Sequence, residues 1–175
     1  MIYMVDHVYT DPATEAEWHE WYAEHIRDLL SVPGLSTAQR FKAIGVTPSR
    51  FLAMYTIESA AVYDSPAYKQ GVHRGGSDRA RFHERYKSMI RNLLDGAACA
   101  PIVADNEFVF TLDADAPDYK LASAFDNLRW LNSVPPHRST QYRALAVLDE
   151  KGAESAQKIN GGFVYAPITT QLASN

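Results

Sequence analysis

The sequence predicts an α+β fold of antiparallel sheets carrying helices on one face, and three observations predict it. Between residues 2 and 58 the apolar spacing runs strand, helix, strand, strand, and from Glu107 the same order restarts. A stretch at the end of the first helix also recurs, in weaker form, about a hundred residues later. Ile26-Arg27-Asp28-Leu29-Leu30-Ser31-Val32-Pro33, followed by a strand from Ser36, is matched by Leu128-Arg129-Trp130-Leu131-Asn132-Ser133-Val134-Pro135, followed by a strand from Ser139. One duplicated helix-to-strand unit explains the match economically, with Arg40 opposite Arg143 and Asn127 where the first copy has His25.

Ile2 to Tyr9 reads as a strand covered on both faces, because Ile2, Met4 and Val8 alternate with Tyr3, Val5, His7 and Tyr9. Thr14 and Glu17 form a capping-box pattern behind Asp11-Pro12. The stripe Trp18, Tyr22, Ile26, Leu29, flanked by Trp21, His25 and Leu30, then gives a helix that stops at Pro33-Gly34. Ser36 to Ile44 and Phe51 to Glu58 read as strands joined by a turn at Gly45-Val46-Thr47-Pro48-Ser49. Ala60 to Tyr68 is helix-like but interrupted by Pro66. A second helix, capped by Ser77, is expected through Phe82, Tyr86, Met89, Ile90 and Leu93 to near Gly96, with a short strand at Ile102-Val103.

In the second half Phe108-Val109-Phe110 reads as strand, Pro117 to Val134 as helix, and Ser139 to Leu148 and Gly162 to Ile168 as strands. The tail beyond Thr170 is too short for a further helix and strand. Two units are therefore expected, a first ferredoxin-like unit over residues 1-104 and a second, truncated one over 105-175. The sheet edge left by truncation predicts a homo-oligomer, in the simplest case a dimer.

With 175 residues and 46% hydrophobic content the chain can bury a sizeable core. Seventeen basic and twenty-one acidic residues, a formal charge of -4 and no basic run argue against nucleic acid as a partner. Lone Cys99 excludes an internal disulfide, the start shows no signal-peptide pattern and no apolar run approaches membrane length, so a cytoplasmic protein is expected. Ten Tyr and three Trp supply aromatic surface for a core or for a ligand pocket.

His25 lies on the apolar stripe of the first helix, where a neutral imidazole could act as a base; the alternative is a core histidine bonded to the backbone. Arg40 could clamp a carboxylate or enolate oxygen, or pair with a helix carboxylate. His7, Tyr9 and Tyr55 lie on strand faces that line either a pocket or a core, and Trp18, Trp21 and Tyr22 would wall the pocket. His73 precedes Arg74-Gly75-Gly76, where a loop histidine could serve as a lid residue. His83 reads as part of a solvated face and His137 as a connection residue. The histidine spacings match no metal motif, and phosphate loops and nucleophile elbows are absent, so neither metal nor cofactor is expected.

The first helix, with the turn and strand after it, resembles the EthD-like branch of the dimeric α+β barrel superfamily, in which W-x-x-W-Y-x-x-E-H-I-P precedes a V-P-G turn and a strand with A-x-R. Trp18, Trp21 and Tyr22 match, then, after a spacer one residue shorter than the pattern's, Glu24, His25 and Ile26, and further on Val32, Pro33, Gly34, Ala38 and Arg40, while Arg27 stands where the pattern has proline. The resemblance covers roughly the first half of the chain. It implies two four-stranded sheets meeting face to face as a barrel, with the fused second copy in the partner's place, and a pocket role for His25. The leading expectation is cofactor-independent acid-base chemistry of the isomerase, cyclase, dehydratase or lyase type on a small organic acid, lactone or aromatic or polyketide-like substrate. A non-catalytic ligand-binding or assembly module and a cofactor-independent oxygenase acting on an aromatic substrate are the alternatives.

Overall fold

The structure is a computed structural model that describes residues 1–73 and 76–174, with side chains for all of these except 73 and 76–79. The first half runs β1 (Ile2–Tyr9), α1 (Glu15–Leu30), β2 (Leu35–Ala43), β3 (Phe51–Ile57), α2 (Pro66–His73), α3 (Gly76–His83) and β4 (Tyr86–Asp95). The second runs β5 (Phe108–Ala114), α4 (Tyr119–Ala122), β6 (Arg129–Val134), β7 (Tyr142–Leu148), α5 (Glu150–Ala156) and β8 (Gly162–Pro167), followed by a short β9 (Leu172–Ala173). Hydrogen bonding orders the strands β2-β3-β1-β4 in the first half and β6-β7-β5-β8 in the second. β4 pairs with β6 and β2 with β8, so eight antiparallel strands close into a barrel within one chain, and β9 adds to β2.

β1 and β3 are covered on both faces along nearly their whole length. On β1, Ile2, Met4 and Asp6 point into the barrel, where Phe41, Leu52, Met54, Leu94, Val109, Leu131 and Tyr165 complete the inner core. Tyr3, Val5, His7 and Tyr9 point outward, under α1. Inside the barrel Arg143 is held by both oxygens of Asp113 (2.6 and 2.8 Å) and by Asp6 (2.8 Å). Gln39 donates to the carbonyl of Val103 (2.8 Å), and the Ala100 amide donates to the Thr56 hydroxyl (2.9 Å). The segment at Ile102-Val103, expected as a strand, is thus tied to the barrel by side chains.

Several expectations are corrected. Residues 86–95 form a strand where a helix was expected. Met89, Arg91 and Leu93 face outward and Ile90, Asn92 and Leu94 inward, so apolar residues on both faces imitate helical spacing. Residues 117–134 hold only the one-turn α4 and then β6. α5 was not expected; Asp149 caps it by accepting from the Gly152 amide (2.7 Å). The second half is therefore not truncated, and the open edge that motivated a homo-oligomer is absent from the barrel.

The apparent repeat also pairs unlike elements. Ile26-to-Leu30 ends a helix whereas Arg129-to-Val134 is a strand; Arg40 on β2 faces the helix layer and Arg143 on β7 faces the barrel interior. Asn127, the supposed counterpart of His25, lies in a loop and donates to the Val147 carbonyl (2.5 Å). Thr14 makes no side-chain cap on α1, because its hydroxyl bonds Asp11 (2.9 Å) and Tyr9 (2.7 Å) instead.

Candidate active site

Strand register sets the outward face of the first sheet in rows. His7 lies between Phe51 and Met89, Val5 between Ala53 and Arg91, and Tyr3 between Tyr55 and Leu93; β2 extends the middle row with Arg40 opposite Ala53. α1 lays Trp18, Tyr22, Ile26 and Leu29 over this face, as its apolar stripe dictates.

His7 is 2% exposed. Its Nε2 lies 3.3 Å from the Tyr22 hydroxyl, which lies 3.2 Å from that of Tyr55. Burial, reinforced by the charges of Arg40 and Arg91, holds the His7 pKa well below the usual imidazole value, so the ring is neutral at physiological pH. Burial also pushes the Tyr22 and Tyr55 phenols up, and both stay protonated. The arrangement that uses the Nε2 lone pair has Tyr55 donating to Tyr22 and Tyr22 donating to His7.

Arg40 is 3% exposed and sits 4.1 Å from the Tyr22 ring centre and 4.7 Å from that of Trp18. Nη1 donates to the His19 carbonyl (3.4 Å), and the buried Nη2 has no hydrogen-bond partner among the described residues. Behind it, Trp18 Nε1 donates to the Tyr86 hydroxyl (2.7 Å) and Tyr9 stacks on Trp18 at 4.6 Å.

Between helix and sheet lies a cavity of about 40 Å³, room for a water or two. β1 and β3 contribute Tyr3, Val5, His7 and Tyr55, and α1 contributes Trp21, Tyr22, His25 and Leu29. Tyr68 and Val72 of α2, His83, and Tyr86, Met89 and Arg91 of β4 close it, so a ring-sized ligand enters only by displacing lining side chains. His25 is half-buried there and stacks on Trp21 at 5.1 Å.

Of the residues singled out from sequence, His7, Trp21, Tyr22, His25 and Tyr55 line this cavity, while Trp18 and Arg40 stand behind Tyr22 and Tyr9 behind Trp18. His73 ends α2, and its side chain lies outside the described residues. Sequence reasoning missed Tyr3, Tyr68, Tyr86 and Arg91, and His83 is a lining residue rather than part of a solvated face. Tyr86 and Arg91 were hidden by the helical reading of β4. The signal available for them was the two-residue spacing of Met89, Arg91 and Leu93. His137 stacks on Tyr3 at 5.8 Å, a contact no local pattern announces.

The corresponding face of the second sheet holds Phe110, Ala144, Ala146, Leu148 and Val164, packed by α5 and Phe125 into an apolar cluster. A groove of about 1000 Å³ at the C-terminal end of α1 is larger than the cavity but open. It is lined by Leu30, Pro33, Ile57, Leu172 and neighbours and gathers no histidine or tyrosine. Among the described residues no group of three or more His, Cys, Asp or Glu is placed to hold a metal ion, and no helix is long and apolar enough to cross a membrane.

No family model matches the chain, and no curated protein matches it. Solved structures match over nearly its whole length. An anthrone oxidase-like protein superposes with a TM-score of 0.62 at 12% identity, covering 99% of this chain and 93% of the other. A monooxygenase, described as putative, from Lactobacillus acidophilus NCFM gives 0.56 at 8% identity, covering 99% of each chain. Another so described, from Fusobacterium nucleatum subsp. nucleatum ATCC 25586, gives 0.53 at 9%, covering 98% and 96%. These proteins share the closed α+β barrel architecture of this chain. At such identities the likeness shows the fold alone.

Proposed function

We propose that the chain is a cofactor-independent enzyme that removes a proton from an enolisable aromatic ketone or phenol and stabilises the resulting anion. The observation that carries this reading is the buried, neutral His7, hydrogen-bonded through Tyr22 to Tyr55 beside an Arg40 guanidinium with an unpartnered nitrogen. A proton lost by the substrate to Tyr22 Oη is matched by the one Tyr22 gives to His7 Nε2. The positive charge of Arg40, little screened in an aromatic setting, then favours the phenolate or enolate. The base is assigned to His7; His25, stacked on Trp21 at the half-buried end of the cavity, becomes a substrate contact. The resemblance of the α1 motif to the EthD-like branch supports a substrate site under this helix, and the strand order of each half suits the ferredoxin-like reading.

Deprotonation is the first step of isomerisation, cyclisation and oxygenation alike. The oxidase-like and monooxygenase neighbours favour oxygenation: an anthrone-type carbanion reacts with dioxygen, and its CH₂ becomes C=O with release of one water. The test uses anthrone itself. Hydrogen–deuterium exchange at its CH₂, followed anaerobically by NMR, reads proton transfer, while oxygen uptake and quinone absorbance under air read oxygenation. Both are expected to be catalysed, and His7→Phe to lower both by about two to four powers of ten. His25→Asn should act mainly on KM. Tight binding of anthrone with neither exchange nor oxygen uptake would leave a non-catalytic binding module as the better reading.

A further inference from the structure

Arg40 has a companion on the same face of the sheet. Arg91 stands on β4 opposite Val5, so that Arg40, Ala53, Val5 and Arg91 form one row across four neighbouring strands. Three strand spacings put the two arginine backbones about 14 Å apart, on either side of the residues under α1. Arg91 lines the cavity, and the one side-chain hydrogen bond it makes among the described residues runs from Nη2 to the thioether of Met89 (2.8 Å), a weak acceptor.

None of the described lining residues is Asp or Glu; the other ionisable groups there are histidines and tyrosines. The inward face of the same sheet supplies the contrast. There Arg143 is fully engaged by Asp6 and Asp113. Arg91 is part-buried in this aromatic cleft with no carboxylate among the described lining residues, and its planar fork of donors matches a carboxylate.

We propose that Arg91 is the anion-recognising residue of the site, and that the substrate is an aromatic ketone or phenol bearing a carboxylate which Arg91 grips while the ring lies against Trp21 and Tyr22. This rests on the cavity being the substrate site, as in the proposed function, but not on the reaction assigned to it.

Binding reads it directly, through quenching of tryptophan fluorescence, because Trp21 lines the cavity. The probes are 1-hydroxy-2-naphthoate and its neutral isostere 1-hydroxy-2-naphthamide. The acid is expected to bind at least about tenfold more tightly, and Arg91→Gln to weaken the acid by about 10- to 100-fold while leaving the amide unchanged. Arg91→Lys, which keeps the charge and loses the fork, should fall between, and carries the test alone if Arg91→Gln does not fold. Arg81→Gln, which removes an exposed partner of Glu17, is the control expected to bind both as the parent does. Equal affinity for acid and amide, equal loss of both in Arg91→Gln, or no binding of either at about 1 mM would each overturn the proposal. Carboxylate selectivity lost in Arg91→Gln, together with inertness toward anthrone, would sustain this inference and reject the proposed reaction.

Discussion

Arg40 and His7 hold opposite electrostatic positions in the same small volume. A buried guanidinium with an unsatisfied Nη2 costs stability, and its stacking on Tyr22 and Trp18 offsets part of that cost. Arg40→Met should therefore leave the melting temperature unchanged or raise it by a few degrees, at about 2–4 °C per kcal/mol for a chain this size. It should also lower kcat/KM by about one to two powers of ten, because the positive charge that favours the anion from behind Tyr22 is lost. Calorimetry showing a lowered melting temperature with activity retained would make Arg40 a packing residue. His7 carries a pH signature of its own. Its folded-state pKa is depressed, so below about pH 6.5 the unfolded chain takes up a proton that the folded chain refuses. The stability contributed by neutral His7 is complete above that pH and is lost as pH falls, by at most about 1.4 kcal/mol per unit. His7→Phe should flatten this part of the acid limb in urea titrations, and kcat/KM of the parent should stay level to below pH 6.5.

The join between α1 and β2 fixes how far Arg40 reaches under the helix. Gly34 makes this turn at φ +92°, and a Cβ there would meet Val62 Cγ2 at 2.5 Å. Gly45, in the β2–β3 turn at φ +116°, has open space around it. Gly34→Ala should therefore cost both backbone strain and a clash, about 2–4 kcal/mol in all, and Gly45→Ala only the strain, about 1 kcal/mol. Equal losses in thermal unfolding would mean that the α1–β2 junction absorbs the added methyl freely. Gly34 was legible as the stop signal of α1, and β1, β2 and β3 were read within a residue of their bounds because each is a short apolar run set off by turn residues. β4 and β6 were not, since apolar residues occur on both faces of each, Met89 and Leu93 against Ile90 and Leu94, and Trp130 and Val134 against Leu131, and the polar alternation that distinguishes a strand from a helix is lost.

Closure of eight strands within one chain makes the inner core common to both halves: Ile2, Met4, Leu52 and Met54 meet Val109, Leu131, Leu145 and Tyr165. Residues 1–100 expressed alone would expose that face and the free edges of β2 and β4. Light scattering should find this fragment as a dimer or aggregate; a soluble monomer would show that the first half buries its inner face unaided. For the intact chain a single cooperative unfolding transition is expected, with near- and far-ultraviolet signals coincident.

The sequence by itself determined the α+β class, the first helix with its Trp-x-x-Trp-Tyr-x-Glu-His pattern, the first three strands and half of the aromatic walls of the cavity, Trp21, Tyr22 and Tyr55. All of these rest on local spacing along one element. Only the tertiary structure decided which histidine is buried beside Tyr22, that Arg40 rather than Arg143 lacks a carboxylate, and that Arg91 joins the same site. Those properties depend on which faces of separate strands the register brings together, and on how far burial under α1 removes them from water. The barrel's closure is of the same kind: it lies in the β4–β6 and β2–β8 pairings between distant segments, and no single segment records it.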